Sequence, residues 1–223
     1  MARLHEKSFP NESVEYREAR DQLLQAELDL RRRVEDVAQM RRELPLGGRL
    51  KEDYLFDKTG GTVRLSELFA EGKDSLIVYS LMYRLGADPC PMCASFLDSL
   101  NGNAPHVMNK VNLVVVARSP IDRIDDFARG RGWGNLNLLS STNNSYNSDY
   151  FAEKEDGRQD PMLTVFRRTA DGIFHHWSSE LFFAETEDGQ HPRHVDTYWP
   201  LWNLFDLTPE GRGEDWWPQV DYG

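Results

Sequence analysis

Residues 75–93 read SLIVYSLMYRLGADPCPMC, and this stretch decides the fold. Residues 75–83 are almost all apolar, which is typical of a strand that is buried on both faces of a sheet. A short loop separates this strand from Cys90, and Pro91 then occupies the first turn of a helix, where a missing N–H costs nothing. The sequence therefore predicts a strand, a loop and a helix whose N-terminus carries the motif Cys90-Pro91-Met92-Cys93.

Strands and helices alternate around this segment, and the β-α-β-α order predicts a parallel core with right-handed crossovers. A hairpin about the turn at residues 170–172 adds antiparallel strands, so we expect a mixed sheet. A loop at residues 140–148 is too rich in serine and asparagine to belong to the core. The predicted elements are a hairpin at 53–57 and 62–64, a strand at 75–83, a helix at 91–100 that breaks at Gly102, a strand at 111–117, a helix at 121–129, an edge strand at 136–139, and a hairpin at 161–169 and 172–178.

A long helix is predicted at residues 13–44, ahead of this α/β region. Ser13 is a suitable N-cap, acidic residues lie early and basic residues late, and Pro45 ends the pattern. Apolar residues recur at every seventh position from Tyr16 to Leu44 and form a thin apolar stripe. The stripe fits packing on the chain's own domain or against the same helix of a second subunit, so a homodimer through this helix stays open.

The composition excludes several classes of function. The chain has 223 residues and a formal net charge of −11, and such a charge repels the phosphate backbone of nucleic acids. No apolar run approaches the roughly 20 residues of a membrane span, and residues 1–10 lack the apolar stretch of a secretory signal. We therefore expect a soluble cytoplasmic protein that binds neither nucleic acid nor membrane.

The chain contains two cysteines, and they lie three positions apart. They close too small a loop to stabilise the fold as a disulfide framework, which leaves redox chemistry, half of a metal site, or coincidence. Redox chemistry is favoured, because a helix N-terminus would stabilise Cys90 as an attacking thiolate and Cys93 would resolve the mixed disulfide. Arg84 would favour that thiolate, and Asp88 would oppose it. A zinc site would need two more ligands, and no histidine has a convincing spacing, so we expect no metal and no other cofactor.

Segments outside the dithiol motif add a resemblance to a known family. They are residues 79–83, residues 111–120, the Gly132-Trp133 step, residues 143–150, and Val165-Phe166 with Ile173-Phe174-His175. Together with the CPMC motif they resemble a family of thioredoxin-like proteins that are predicted dithiol-disulfide oxidoreductases and formally a domain of unknown function. The resemblance spans most of the chain and implies a thioredoxin-like α/β sandwich with its active site at Cys90 and Cys93. We divide the chain into a long N-terminal helix with its lead-in (1–48), a thioredoxin-like domain (49–212) and a C-terminal tail (213–223).

Asp160 and Pro161 form a second predicted part of the site. Pro161 stands at the start of a strand, where thioredoxin-like proteins hold a cis proline that faces the dithiol. The resemblance therefore implies that Pro161 is cis and that the backbone of Asp160 is free to pair with a bound peptide or thiol. We assign Pro161, Asp160, Pro91 and Met92 to the substrate-binding surface.

Three functions fit these residues. The leading prediction is a thiol-disulfide oxidoreductase that acts on a disulfide or thiol substrate and is reset by a reducing partner of unknown identity. A thiol peroxidase is the second, with Arg118 beside the sulfur of Cys90, although Ala87 stands where peroxidases favour a threonine. The third is a non-enzymatic module that keeps the fold as a scaffold for binding or dimerisation.

Overall fold

The structure, a computed structural model, describes residues 4–188, 196–213 and 216–223. The chain forms two compact units that divide between Pro45 and Leu46. The first unit consists mainly of the predicted long helix, α1 (Val14–Arg42), and the Ser13 hydroxyl caps it by accepting the N–H of Tyr16 at 3.1 Å. Within the described residues, none of the helices combines the length and the apolar character that a membrane crossing needs.

Among the described residues, the second unit is built on one mixed sheet of seven strands. In spatial order the strands are β2-β1-β5-β4-β3-β6-β7. The elements in chain order are β1 (Leu55–Lys58), β2 (Gly61–Arg64), β3 (Ser75–Leu81), α2 (Pro91–Lys110), β4 (Asn112–Ala117), α3 (Ile121–Arg131), β5 (Leu138–Ser140), α4 (Tyr146–Asp149), β6 (Met162–Thr169), β7 (Gly172–Ser178) and α5 (Pro200–Phe205).

The central strand β3 joins the parallel and antiparallel halves of this sheet. It pairs in parallel with β4, which in turn pairs in parallel with β5, while β6 runs antiparallel on its other side. The strand–helix–strand order with the dithiol helix directly after the central strand is the thioredoxin-like arrangement. The predicted thioredoxin-like α/β fold with a mixed sheet is therefore confirmed.

Side chains of β3 alternate between two cores, one on each face of the sheet. Leu76 and Val78 belong to an aromatic-rich core on one face. Tyr79 and Leu81 belong to the core on the other face, which also contains Cys93 of α2. The dithiol helix α2 therefore packs on the face of the sheet that carries Tyr79 and Leu81.

The strand β5 is not an edge strand, as the sequence predicts, but lies inside the sheet. The hairpin of β1 and β2 pairs beyond it, with Asp57 opposite Ser140. Strand order depends on contacts between segments that are distant in sequence, so periodicity within residues 136–139 could not reveal this neighbour.

The polar loop at residues 140–148 is also more buried than the sequence predicts. Ser141, Tyr146 and Asn147 are buried, and residues 146–149 form the short helix α4. The loop satisfies its polar groups internally, because the Ser141 hydroxyl donates to the side-chain oxygen of Asn147 at 2.6 Å. The Asn144 amide also donates to the carbonyl of Leu55 in β1 at 2.7 Å, which ties the loop to the hairpin.

The helix α2 does not break at Gly102, contrary to the prediction, but continues through Pro105 to its end at residue 110. Continuation buries Ala104 completely. Pro105 has no N–H to donate to the carbonyl of Asn101, one turn earlier. The side-chain amide of Asn135 donates to that carbonyl instead, at 3.2 Å. A residue from outside the helix thus replaces the hydrogen bond that the proline removes.

Residues 216–223, at the end of the chain, pack against other parts of the second unit. The ring centroid of Trp216 lies 5.0 Å from that of Phe205 and 5.9 Å from that of Trp202. The side chain of Arg131, in the last turn of α3, donates to the carbonyl of Val220. Residues 216–223 therefore belong to the second compact unit.

Replacement of Asn135 by alanine should destabilise the protein by about 1 kcal/mol, because the carbonyl of Asn101 loses its donor. The Pro105→Ala variant restores a main-chain N–H at that carbonyl, so Asn135→Ala should cost clearly less in that background. Urea denaturation of the two single variants and the double variant measures this coupling. Equal costs of Asn135→Ala in both backgrounds would contradict the replacement.

Candidate functional site

A main-chain hydrogen bond fixes Cys90 beside the C-terminal end of the central strand β3. The N–H of Cys90 donates to the carbonyl of Met82 at 3.0 Å, which closes the loop between β3 and α2. Cys90 is the N-cap of α2, and its sulfur accepts the N–H of Cys93 at 3.5 Å. Pro91 follows in the first turn, as the sequence predicts. The cysteine thiol therefore takes the place that a serine or aspartate side chain usually has at a helix start.

The surroundings of Cys90 favour its thiolate form. Its pKa is lowered to about 6, first because the thiol of Cys93 donates a hydrogen bond to it. Partial burial acts in the opposite direction, and the main-chain N–H groups of Cys93 and Met92 lower the pKa further. Cys90 is half-buried rather than fully enclosed. A partly exposed thiolate at neutral pH is a competent nucleophile.

Cys93 has the opposite environment. It is only 2% exposed, and its pKa lies well above the ordinary value, first because it donates to Cys90, then because it is buried and lies beside the Cys90 charge. A hydrogen bond from the Tyr79 hydroxyl and the N–H of Met82 act against this rise. The two cysteines therefore differ in protonation, with one poised to attack and the other held as a thiol.

Two residues of this site were missed by the sequence analysis. Tyr79 is buried in β3 within the same core as Cys93, and burial first, then the charge of Cys93, raise the pKa of its hydroxyl well above the ordinary value. The signal in the sequence was a tyrosine within a mostly aliphatic strand that was predicted to be buried.

Arg123 of α3 is the second missed residue. Its guanidinium donates to the carbonyl of Arg84 at 2.8 Å and to the carbonyl of Ala87, both in the loop before Cys90. It also donates to the Ser119 hydroxyl at 3.1 Å and lies 4.1 Å above the ring of Tyr83. The loop is thus held through its backbone by a side chain that is distant in sequence, which no local pattern could indicate.

Asp160 and Pro161 lie beside the same end of the central strand β3 as the dithiol. Met162 pairs with Ser80 near the end of β3, so the two preceding residues extend beyond that end. The expected cis bond at Pro161 is wrong, since the described residues contain no cis peptide. The N–H of Asp160 is not free either, because it donates to the carbonyl of Ala152 at 3.1 Å. The loop at residues 150–160 folds back on itself and uses this donor, and binding of substrate by Asp160 and Pro161 stays a prediction.

Arg118 does not serve the sulfur of Cys90. Its Nε pairs with the carboxylate of Glu153 at 3.0 Å, and its Nη1 donates to the carbonyl of Asn144 at 3.1 Å. These contacts anchor two loops at the end of β4. The arginine that a peroxidase would use is therefore occupied by loop contacts.

The described part of the chain brings together no group of three or more histidine, cysteine, aspartate or glutamate side chains that could hold a metal ion.

Residues 6–222 match the family described as bacterial protein of unknown function (DUF899). The chain belongs to this family. No curated protein matches the chain.

Solved structures with a similar fold share little sequence with this family member. Peroxidoxin BcpB from Mycobacterium tuberculosis is 16% identical, with a TM-score of 0.47 over 70% of this chain and 94% of that one. A cysteine mutant of PrxQ from Xylella fastidiosa is 14% identical, with a TM-score of 0.46 over 60% and 87%. A hypothetical protein from Sinorhizobium meliloti 1021 is 19% identical, with a TM-score of 0.45 over 70% and 81%.

Alkylation of Cys90 by iodoacetamide should rise with pH around a midpoint near pH 6, since only the thiolate reacts. Cys93→Ala removes the donor that contributes most, so the midpoint should rise by about one unit or more towards the ordinary value. Cys93→Ser keeps a donor at this position and should give a midpoint between the two. Mass spectrometry of the alkylated residue against pH measures all three. An unchanged midpoint in Cys93→Ala would refute the assigned cause.

Arg123→Ala should lower the free energy of unfolding by about 2 kcal/mol, because two loop carbonyls lose their donor and Tyr83 loses its cation. Arg129→Ala in the same helix is the matched control, since its ion pair with Asp126 is mostly exposed. That control should change stability by less than about 0.5 kcal/mol. Urea denaturation compares the variants, and equal effects would show that Arg123 does not hold the loop.

Proposed function

We propose that this protein is a thiol-disulfide oxidoreductase in which Cys90 attacks and Cys93 resolves. The observation that supports this most is the pair of unlike sulfurs at the start of α2. Cys90 is half-buried, its sulfur accepts the N–H of Cys93 at 3.5 Å and its pKa is lowered to about 6, whereas Cys93 is buried and its pKa is raised well above the ordinary value. Redox dithiols need this asymmetry, because the attacking sulfur must be ionised while the resolving sulfur is kept away from competing thiols.

The reaction is a two-electron exchange. The Cys90 thiolate attacks one sulfur of a substrate disulfide, forms a mixed disulfide and releases the other substrate sulfur as a thiolate. Cys93 then gives up its proton and attacks the sulfur of Cys90, which releases the second substrate thiol. The protein is left with a Cys90–Cys93 disulfide, and a thiol or a dithiol partner must return two electrons to reset it. No metal or organic cofactor takes part.

The substrate would meet the surface around Cys90. Pro91 is exposed and Met92 is half-buried, so both can contact a group that approaches the sulfur. Pro161 is half-buried at the same edge of the sheet and would shape the other side of this surface. Asp160 would contribute through its position there, with its carboxylate paired to Lys154 at 2.9 Å. These four residues would contact a protein or small-molecule disulfide.

Equilibration in graded glutathione buffers tests the proposal. Cys90 and Cys93 should oxidise together in one reversible two-electron transition, counted by alkylation and mass, with a midpoint that shows the direction of electron flow. A pair that stays reduced at every ratio would refute the proposal and favour a scaffold.

Variants of the two cysteines test their order of action. Cys93→Ser should accumulate a stable mixed disulfide with an added disulfide substrate, because the resolving sulfur is gone. Cys90→Ser is the matched control and should form none. Trapping at Cys93 in the Cys90→Ser protein, at the rate seen for Cys90, would reverse the assignment. Rapid consumption of hydrogen peroxide, without turnover of disulfides, would favour the peroxidase instead.

A further inference from the structure

The long helix α1 exposes a row of large apolar side chains. Tyr16, Leu23 and Leu30 stand seven positions apart, and Val34 lies one turn after Leu30 on the same side of the helix. These four side chains, which form the apolar row, are 47–63% exposed. A helix of 29 residues is about 43 Å long, so the row is a long apolar seam that the described part of the chain does not bury.

The seven-residue repeat of α1 is symmetric about Leu30. It starts at Tyr16 and ends at Leu44, and Leu23 and Val37 lie at equal distances from the centre. When a second helix runs in the opposite direction and crosses at Leu30, an apolar side chain of one helix lies at the height of an apolar side chain of the other at every repeat. The row is therefore complementary to itself, which a two-fold symmetric contact requires.

The charges of this segment have the same centre, with opposite signs on the two sides of it. Wherever two positions equidistant from Leu30 are both charged, one is acidic and the other is an arginine. The four such pairs are Asp29 with Arg31, Glu27 with Arg33, Glu18 with Arg42, and Arg17 with Glu43. An antiparallel pair of helices places these opposite charges at equal heights, whereas a parallel pair places every charge beside its own copy. The charges thus favour an antiparallel partner with this same sequence.

We propose that the apolar row binds the same row of a second copy of this chain, in an antiparallel pair of α1 helices that crosses at Leu30. The self-complementary apolar repeat and the self-complementary charges both favour a second copy over an unrelated partner. The contact does not involve the dithiol, so it forms whether or not Cys90 and Cys93 react.

Glu27 and Arg31 are the charged residues that this arrangement brings together. Glu27 lies three positions before Leu30 and four after Leu23, directly beside the apolar row, and Arg31 follows one turn later on the same flank. Among the described residues, neither side chain has an ion-pair partner in its own chain. In the antiparallel pair, Glu27 of each copy lies beside Arg31 of the partner subunit, which gives two contacts for each dimer.

Sedimentation equilibrium of the full chain with a reductant present tests the association, because the reductant removes any disulfide between copies. The wild-type protein should show about twice the 25.8 kDa of one chain. Leu30→Asp should give the monomer mass, since two carboxylates would meet at the crossing point. Circular dichroism shows whether this variant keeps its helix. A monomeric wild-type protein, or an unchanged dimer in folded Leu30→Asp, would overturn the proposal.

Exchange of the two charges tests the direction of the helices. Glu27→Arg and Arg31→Glu should each raise the dissociation constant by about tenfold, because both contacts change from attraction to repulsion. The double variant Glu27→Arg/Arg31→Glu should recover the wild-type constant. Asp36→Arg is the matched control, with the same change of charge at an exposed position away from the row, and should have little effect. If the single variants bind like wild type, or if the double variant does not recover, the antiparallel pair is refuted.

Discussion

Burial of β3 on both faces is the constraint on which the rest of the second unit depends. The strand has a parallel partner on one side and an antiparallel partner on the other, and its side chains fill two separate cores. The loop that follows β3 brings Cys90 back beside the end of the strand, because the N–H of Cys90 donates to the carbonyl of Met82. The helix that carries the dithiol therefore has its start fixed to the end of this central strand. The odd-numbered side chains from Tyr79 onward necessarily face that helix.

Chemical asymmetry between the cysteines follows from this placement. A residue at the N-cap is partly open to solvent and receives main-chain N–H groups, whereas a residue one turn later on the inner face is enclosed by the core. The groups that shift the pKa of Cys90 are hydrogen-bond donors rather than cations, so Arg84 and Asp88 do not have the influence that the sequence suggested. Stabilisation by short-range dipoles is little affected by dissolved ions, because screening acts mainly between exposed charges.

The sequence predicted this part of the molecule well because the relevant signals are local. An apolar run, a proline in a first turn and two cysteines three positions apart suffice to place the dithiol at a helix start. The signals that failed are those that depend on distant partners. Gly102 looks like a helix end, yet the helix continues through Pro105, where Asn135 supplies the missing donor. The N–H of Asp160 looks free until Ala152 is found beside it, and Arg123 has no local feature that marks it as a loop anchor.

The hydrogen bonds from Arg123 to the loop before Cys90 have a consequence for how the sequence of this loop can vary among related proteins. It holds carbonyl oxygens, which every amino acid provides, and the side chains of Arg84, Leu85 and Asp88 are exposed. Only Gly86, with its positive φ of 79°, resists replacement through its backbone. Related chains can therefore change the face that they present beside the nucleophile while the sulfur stays where it is. Recognition and reactivity are encoded in different atoms of the same loop.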